Sequence, residues 1–338
     1  MAVEKILLIA PNWVGDSIHF LPAVAALRRG HAGSRLCLAA RPGLCELHAS
    51  NPLFDRLLPL PAAATRGQRL AFYWGLRREH FSLALVFPNS FSAGLAAFLS
   101  GARQRLGRPG QGRRWLLTRV APLKPDDRSR PVAEEYLDLA LLAGGDAHPE
   151  DRQPRLPLTQ AGVEEQNRMF REAQLSQDAA LVALCPTSAY GEAKCWPPEH
   201  WAKLARLLKE RRYQPLFLGA PAELPALRAV AEAAGGGIAC LTPRLPGLAA
   251  CAVKVQALVA NDSGPLHVAA AVGARCVGLF GPISPAWSAP ASPKARALYH
   301  GLACSPCYAR VCPLGHQDCL RKMEPAEVLE AVLEVMRR

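Results

Sequence analysis

The sequence predicts an α/β protein of two Rossmann-like domains, each with a parallel sheet, and three observations predict it. Short apolar runs alternate with helical patterns, as in βαβ units. The alternation stops at a polar, proline-bearing stretch, residues 144–154, and then starts again. The length, 338 residues, exceeds what one hydrophobic core ordinarily organises.

Taken in order, residues 5–10 are a short apolar run and read as a buried strand. A helix follows over 17–29, with Ile18, Leu21 and Ala25 on one face. Residues 35–40 read as the next strand, 66–78 as a helix and 83–87 as another buried strand. Residues 91–99 and 134–142 are helices. The domain boundary falls at 152/153, and 162–175 read as a connecting helix. The restarted pattern gives strands at 180–185, 214–219, 257–261 and 276–280. Helices at 198–211, 223–233 and 265–272 alternate with them, Pro198 suiting a first helical turn. An amphipathic helix at 325–337 ends the chain. In open sheets ligands bind beyond the carboxyl ends of the strands, so the cleft between the two domains is the expected site.

The net charge is +12. It favours solubility or an acidic partner: a phosphorylated substrate, an anionic membrane surface or nucleic acid. Arginines crowd the stretch 103–130 (Arg103, Arg105, Arg108, Arg113, Arg114, Arg119, Arg128, Arg130), joined by Lys124 and offset only by Asp126 and Asp127. Their forks suit phosphate and carboxylate, though a solvated loop would read the same. Trp115 is the only aromatic in that stretch, which disfavours single-stranded nucleic acid. No apolar run reaches the roughly 18 residues of a membrane span. The start, Met1 to Leu8, lacks the marks of a signal peptide, so a cytoplasmic protein is expected. Seven of the eleven cysteines are scattered, mostly in apolar runs, and read as small core residues.

Four segments carry chemistry. Pro11-Asn12-Trp13-Val14-Gly15-Asp16 joins a strand to a helix N-terminus. Asp16 either caps that helix or acts as a general base. Ala260-Asn261-Asp262-Ser263-Gly264-Pro265-Leu266-His267 repeats the strand–loop–helix form. There Asp262 or Ser263 can cap, Gly264 admits a ligand to the backbone, and His267 is either structural or aimed at the same place. The loop 185–197 places Thr187, Ser188 and Lys194 after a strand, a set that suits phosphate oxygens. Cys304-x2-Cys307-x4-Cys312-x6-Cys319 has metal-like density, with reduced, packed cysteines as the plain alternative. A metal there would be structural, since the segment lies off the strand ends just named. No G-x-G-x-x-G follows a strand, and neither a P-loop, a G-x-S-x-G elbow nor an Asp-x-Asp pair is present.

These motifs together resemble the heptosyltransferases, the ADP-heptose:lipopolysaccharide transferases. The resemblance runs through Lys5-Ile6-Leu7, Trp13-Val14-Gly15-Asp16, Phe87-Pro88-Asn89-Ser90-Phe91 and Arg105-Leu106-Gly107. It continues through Cys185-Pro186, Ala193-Lys194-Cys195-Trp196-Pro197, Asn261 to Ala271, Gly278-Leu279-Phe280-Gly281-Pro282 and Ser284-Pro285. It covers essentially the whole chain, and Trp13-Val14-Gly15-Asp16 and Pro88-Asn89-Ser90-Phe91 look more like the enzymes that add the second heptose than the first. Cys195 departs from the family's usual arginine.

The resemblance implies a GT-B fold with an acceptor-binding domain over 1–152 and a nucleotide-sugar domain over 153–324. The helix 325–338 would pack back toward the first domain. It implies inverting transfer from ADP-heptose to the lipid A–Kdo inner core, probing no nucleic acid and needing no cofactor. The enzyme would sit at the cytoplasmic face of the inner membrane as a peripheral protein. Asp16 would be the base. Thr187, Ser188, Lys194, Asp262, Ser263, Gly264, His267 and, on a looser match, Glu223 would meet the donor. Lys194 would also serve catalysis. Trp13, Asn89, Ser90, Arg105 and Arg108 are expected at the acceptor. The residues leave room for a same-fold transferase of another nucleotide sugar and for a non-catalytic nucleotide-sugar-binding protein.

Overall fold

The computed structural model describes residues 4–62, 65–122, 128–176 and 179–337. The first three residues, and Lys124, Asp126 and Asp127 of the arginine-rich stretch, lie outside the described residues. The chain divides into two compact units, Met1–Pro157 and Leu158–Arg338. The division falls five residues beyond the expected 152/153, because it comes just before the helix Gln160–Glu172, which packs on Leu245–Lys254. Gly162 lets the two backbones touch: a Cβ there would lie 2.4 Å from the Pro246 carbonyl oxygen.

The first unit is a six-stranded parallel sheet: β1 Lys5–Ile9, β2 Arg35–Ala40, β3 Arg56–Pro59, β4 Leu83–Val86, β5 Gln104–Gly107 and β6 Arg119–Val120. Its order is β3-β2-β1-β4-β5-β6. The second unit repeats the plan with β7 Leu181–Cys185, β8 Gln214–Leu218, β9 Cys240–Leu241, β10 Ala257–Asn261, β11 Cys276–Phe280 and β12 Ala295–Tyr299. Its order is β12-β11-β10-β7-β8-β9, also parallel. The central strands are buried on both faces, which is why they read as unbroken apolar runs. The strand order reverses between β1 and β4 in one sheet and between β7 and β10 in the other. Those switch points are where such sheets bind ligands.

One element differs from expectation. The helix expected over 17–29 is two helices, Val14–His19 and Leu21–Gly30, meeting at Phe20. Pro22 lies in the first turn of the second, where its missing N–H costs nothing, and it cannot continue the first. The last helix, Pro325–Arg337, packs within the second unit. Its apolar stripe, Val328, Leu329, Ala331, Val332 and Val335, joins the core around Trp196 and Trp201. That face is thereby covered against Pro198–Glu210 and the neighbouring strands.

Candidate active site

In the first unit, three adjacent strand ends carry the expected residues. After β1 comes Asp16, the third residue of the helix Val14–His19. It is not the cap: the N-cap is Trp13, and its side chain makes no capping bond. Asp16 is half-buried and Trp13 is exposed. Half-buried Tyr136, from the helix Val132–Leu142, neighbours Asp16. Burial first, and the Asp16 charge second, hold its phenol well above the ordinary value, so it stays protonated. Nearby Arg108 works in the opposite direction on the same phenol.

After β4 comes the loop Phe87–Ser90, and after β5 comes Arg108. A residue that the sequence reading left on the anion-facing surface joins them. Arg113 is fully buried. Its guanidinium donates to the carbonyls of Pro88, of Ser90 (3.0 Å) and, twice, of Arg108 (2.9 and 2.8 Å), and to Asn89 Oδ1 (3.3 Å). Burial lowers its pKa to about 10, so it remains charged at neutral pH. Ser90 caps the helix Phe91–Leu99, its hydroxyl accepting the Ala93 N–H at 3.3 Å. Arg108 donates to the Glu135 carbonyl at 2.8 Å and lies 3.8 Å from Asp138.

Arg105 does not join this group. Its donors meet the carbonyls of Leu116 and Ala102, both at 2.8 Å, and its guanidinium lies over the Phe98 ring. Arg119 and Arg130 are likewise engaged, with the Leu142 carbonyl and with Asp138. The arginine stretch is therefore not one anion-facing surface, because most of its forks close loops of its own unit. Replacing Arg113 with methionine should cost roughly 1–3 kcal/mol for each buried carbonyl left without its donor. The resemblance puts the acceptor at these loops, so the same change is expected to raise the acceptor KM and leave the donor KM unchanged. A loss of affinity for the donor equal to that for the acceptor would remove this positioning role.

In the second unit the loops after β7 and β10 meet over one carboxylate. Asp262 is buried, 4 % exposed. Lys194 Nζ donates to its Oδ2 at 2.6 Å and to its carbonyl at 3.2 Å. His267 Nε2 lies 3.4 Å from Oδ1, and Ser288 Oγ donates to Oδ2 at 3.3 Å. Burial opposes the charge, but His267 and Lys194 outweigh it and lower the carboxyl to about 2. Asp262 and His267 therefore hold Lys194 in place. Ser263 is the N-cap of Gly264–Ala271 by backbone position, and its buried hydroxyl has no hydrogen-bond partner among the described residues.

Asn261, quoted with the motif but given no role, straps the two loops together. Its Oδ1 accepts the Trp196 N–H at 3.0 Å and its Nδ2 donates to the Pro186 carbonyl at 2.8 Å. Thr187 and Ser188 are half-buried on the strapped loop. Glu223, after β8, accepts the Ala220 N–H at 2.7 Å and closes its own turn.

The cysteine segment is not remote from this loop, contrary to expectation. Its backbone is pinned to it: Ala193 N–H donates to the Arg310 carbonyl (3.0 Å), Tyr190 Oη to the Tyr308 carbonyl (2.8 Å) and Gln317 Nε2 to the Glu192 carbonyl (2.8 Å). Gly191 permits the approach, since a Cβ there would sit 2.4 Å from the Arg310 oxygen. Lys194 and Arg310 both lie over the Tyr190 ring, at 4.5 and 5.3 Å. The Cys319 thiol is pushed up to about 11, by burial first and then by Cys307, Cys304 and Cys312. Cys312 is held below its ordinary value, chiefly by the Gln317 amide and also by those of Leu314, Gly315 and His316. Among the described residues, no three His, Cys, Asp or Glu side chains are grouped to hold a metal ion.

This geometry has counterparts. The family described as glycosyltransferase family 9 (heptosyltransferase) matches residues 69–317. The chain belongs to glycosyltransferase family 9. It is similar to lipopolysaccharide heptosyltransferase 2 of Escherichia coli K12, 32% identical over 311 residues and 87% of each chain. To lipopolysaccharide heptosyltransferase 1 of the same organism it is 22% identical over 301 residues, 83% of this chain and 89% of the other. The solved structure of E. coli ADP-heptose lps heptosyltransferase II superposes with a TM-score of 0.80 at 27% identity, covering 98% of both chains. The family 9 chain is thus a glycosyltransferase of GT-B fold, as the sequence motifs implied.

Proposed function

We propose that this family 9 enzyme transfers a heptose from ADP-heptose to a lipid A–Kdo inner-core acceptor that already carries one heptose. The observation that carries the reading is the Lys194 ammonium, fixed against Asp262 at the switch point of the second sheet. A leaving diphosphate gains negative charge as the glycosidic bond breaks. A cation already positioned stabilises that charge without reorganising. The greater identity to heptosyltransferase 2 than to heptosyltransferase 1 of the same organism supports the second heptose.

Asp16 takes the proton of the acceptor hydroxyl. The oxygen attacks the anomeric carbon from the face opposite ADP, and the carbon–oxygen bond to the diphosphate breaks with inversion. ADP leaves with the bonding pair, beside Lys194 and the N-terminus of Gly264–Ala271, where Ser263 and Gly264 present polar groups. Thr187, Ser188 and Glu223 complete the donor side. Trp13, Asn89, Ser90 and Arg108 serve the acceptor, and Arg113 holds the last three in register. The reaction uses no divalent ion, its electrostatic role being taken by Lys194. Because the acceptor is a lipid, the enzyme works peripherally at the cytoplasmic face of the inner membrane. No helix among the described residues is long and apolar enough to cross a membrane.

The test measures ADP release from ADP-heptose, in buffer containing EDTA, with two acceptors: a lipid A–Kdo core without heptose and one carrying a single heptose. Release only with the mono-heptosylated core is expected. Release only with the heptose-free core would reassign the acceptor, and release that EDTA abolishes would reverse the metal-free mechanism. ADP binding with no release on either acceptor would leave the fold and discard the heptose donor or this acceptor.

A further inference from the structure

The helix Phe91–Leu99 is built inside out. The side it turns to the core carries only small residues, Ala93, Gly94, Ala96 and Ala97. Gly94 is needed there, since a Cβ would come within 3.1 Å of the Arg113 side chain. The large apolar residues, Phe91, Leu95, Phe98 and Leu99, follow the i, i+4, i+7, i+8 spacing of one stripe, and none of them is buried. Phe91 and Phe98 are among the exposed large hydrophobic residues of the chain.

The helix Arg66–Gly75 lies beside it and has no buried residue. Thr65 starts it with a capping box to Gln68, and Phe72 and Tyr73 pack, partly buried, against the core. Leu70 and Trp74, one turn apart, are exposed, Trp74 at 56 %. Leu70, Ala71, Trp74, Leu95 and Leu99 line a wholly apolar open groove of about 380 Å³.

Basic residues border this groove. Arg66, Arg69, Arg77 and Arg78 are exposed on or just after the same helix, with Arg77 over the Trp74 ring at 4.0 Å. The one carboxylate in the segment, Glu79, is paired with Lys5 and Arg56. An indole and leucines bordered by arginines, with no free acid among them, match a surface of acyl chains beneath anionic headgroups.

We propose that this face of the first unit docks on an anionic lipid bilayer, with Trp74, Leu70 and Phe98 entering the interface and Arg66, Arg69 and Arg78 meeting lipid phosphates. The stripe on Phe91–Leu99 runs about 14 Å along the helix. It ends at Phe91 and Trp115, whose rings lie 6.2 Å apart, next to the Asn89–Ser90 loop. A lipid-borne acceptor would thus be presented at the loop assigned to it. This last step rests on the lipid acceptor proposed above; the docking itself does not.

The experiment sediments the full chain with vesicles that contain no acceptor: phosphatidylcholine alone, or phosphatidylcholine mixed with phosphatidylglycerol. Binding to the mixed vesicles and not to the neutral ones is expected. The Trp74→Ser/Phe98→Ser variant should lower partitioning roughly tenfold to a hundredfold. Each of Arg66→Gln, Arg69→Gln and Arg78→Gln should lower it about fivefold. Melting temperature should be unchanged in the arginine variants and should fall only slightly in Trp74→Ser/Phe98→Ser, which loses the ring contacts with Arg77 and Arg105, about 0.5–1 kcal/mol each. Failure of the unsubstituted protein to bind mixed vesicles, or equal binding by all variants, would overturn the proposal. A dimer that Trp74→Ser/Phe98→Ser makes monomeric would assign the face to a second copy and also overturn it. Heptose transfer to a lipid-free core oligosaccharide, assayed in parallel, reads the catalytic proposal separately. Either can fail while the other stands.

Discussion

Asp16→Asn should lower kcat by about 10²–10⁴-fold while leaving the donor KM near its original value. In the proposed mechanism the carboxylate takes the acceptor's proton, and asparagine keeps its size without its basicity. Stability should barely change. Asp16 is not the cap of its helix, and its backbone carbonyl still receives the Phe20 N–H. The interaction of its charge with the helix N-terminus is lost, about 0.3–1 kcal/mol. Tyr136→Phe serves as the companion variant. The phenol stays protonated beside Asp16, so its removal should shift the pH at which kcat rises and reduce the maximum far less than Asp16→Asn does. Measuring kcat and melting temperature on the same samples decides the matter. An Asp16→Asn enzyme with full turnover would remove the base assignment, whatever its stability.

The elements that place Asp16 and Lys194 could be read from the sequence because they are buried on both faces. β1, β4, β7, β10 and β11 are continuous apolar runs followed by glycine- or proline-bearing loops. β3, β6, β9 and β12 could not be read so easily. They are two to five residues long, at sheet edges, and their partly exposed residues give no apolar run. The same limit applies to the side chains. Arg113 looked like its neighbours in an arginine-rich stretch, and only the fold shows that it alone is buried among carbonyls. The nearby glycines at 107, 110 and 112 hint at a loop that turns tightly enough to enclose a side chain, but they do not say which one. The position of Asp262 was evident from its motif, while its role was not. Its partners Lys194 and Ser288 lie 68 and 26 residues away. The cysteine segment was misplaced for the same reason. Its contacts with Glu192 and Ala193 engage the backbone atoms of those two residues, which leave no residue pattern in the sequence.

The largest effect expected in the second unit comes from Lys194→Met, and its interpretation depends on a second substitution. Removing one preorganised cation from a developing charge costs about 10²–10³-fold in kcat. The same change also leaves Asp262 buried with only His267 and Ser288, which should destabilise the fold by up to about 3–5 kcal/mol. The carboxyl, held at about 2 against an ordinary 3.8, contributes stability that is fully present above pH 3.8 and lost as pH falls toward 2. Without Lys194 its folded-state pKa rises, because burial is then opposed by fewer charges. Acid unfolding of Lys194→Met should therefore begin at higher pH than in the unsubstituted protein. A slow, unstable variant would by itself be ambiguous. The double variant Lys194→Met/Asp262→Asn resolves it, since it removes both charges and leaves no uncompensated buried ion. Recovery of melting temperature and of the acid transition, without recovery of kcat, is the result expected if Lys194 acts on the diphosphate. Recovery of kcat together with stability would show that the ion pair only holds the loops after β7 and β10. The leaving-group charge would then have to be met by the helix N-terminus at Ser263 and Gly264 or by Arg310, which shares the Tyr190 ring with Lys194.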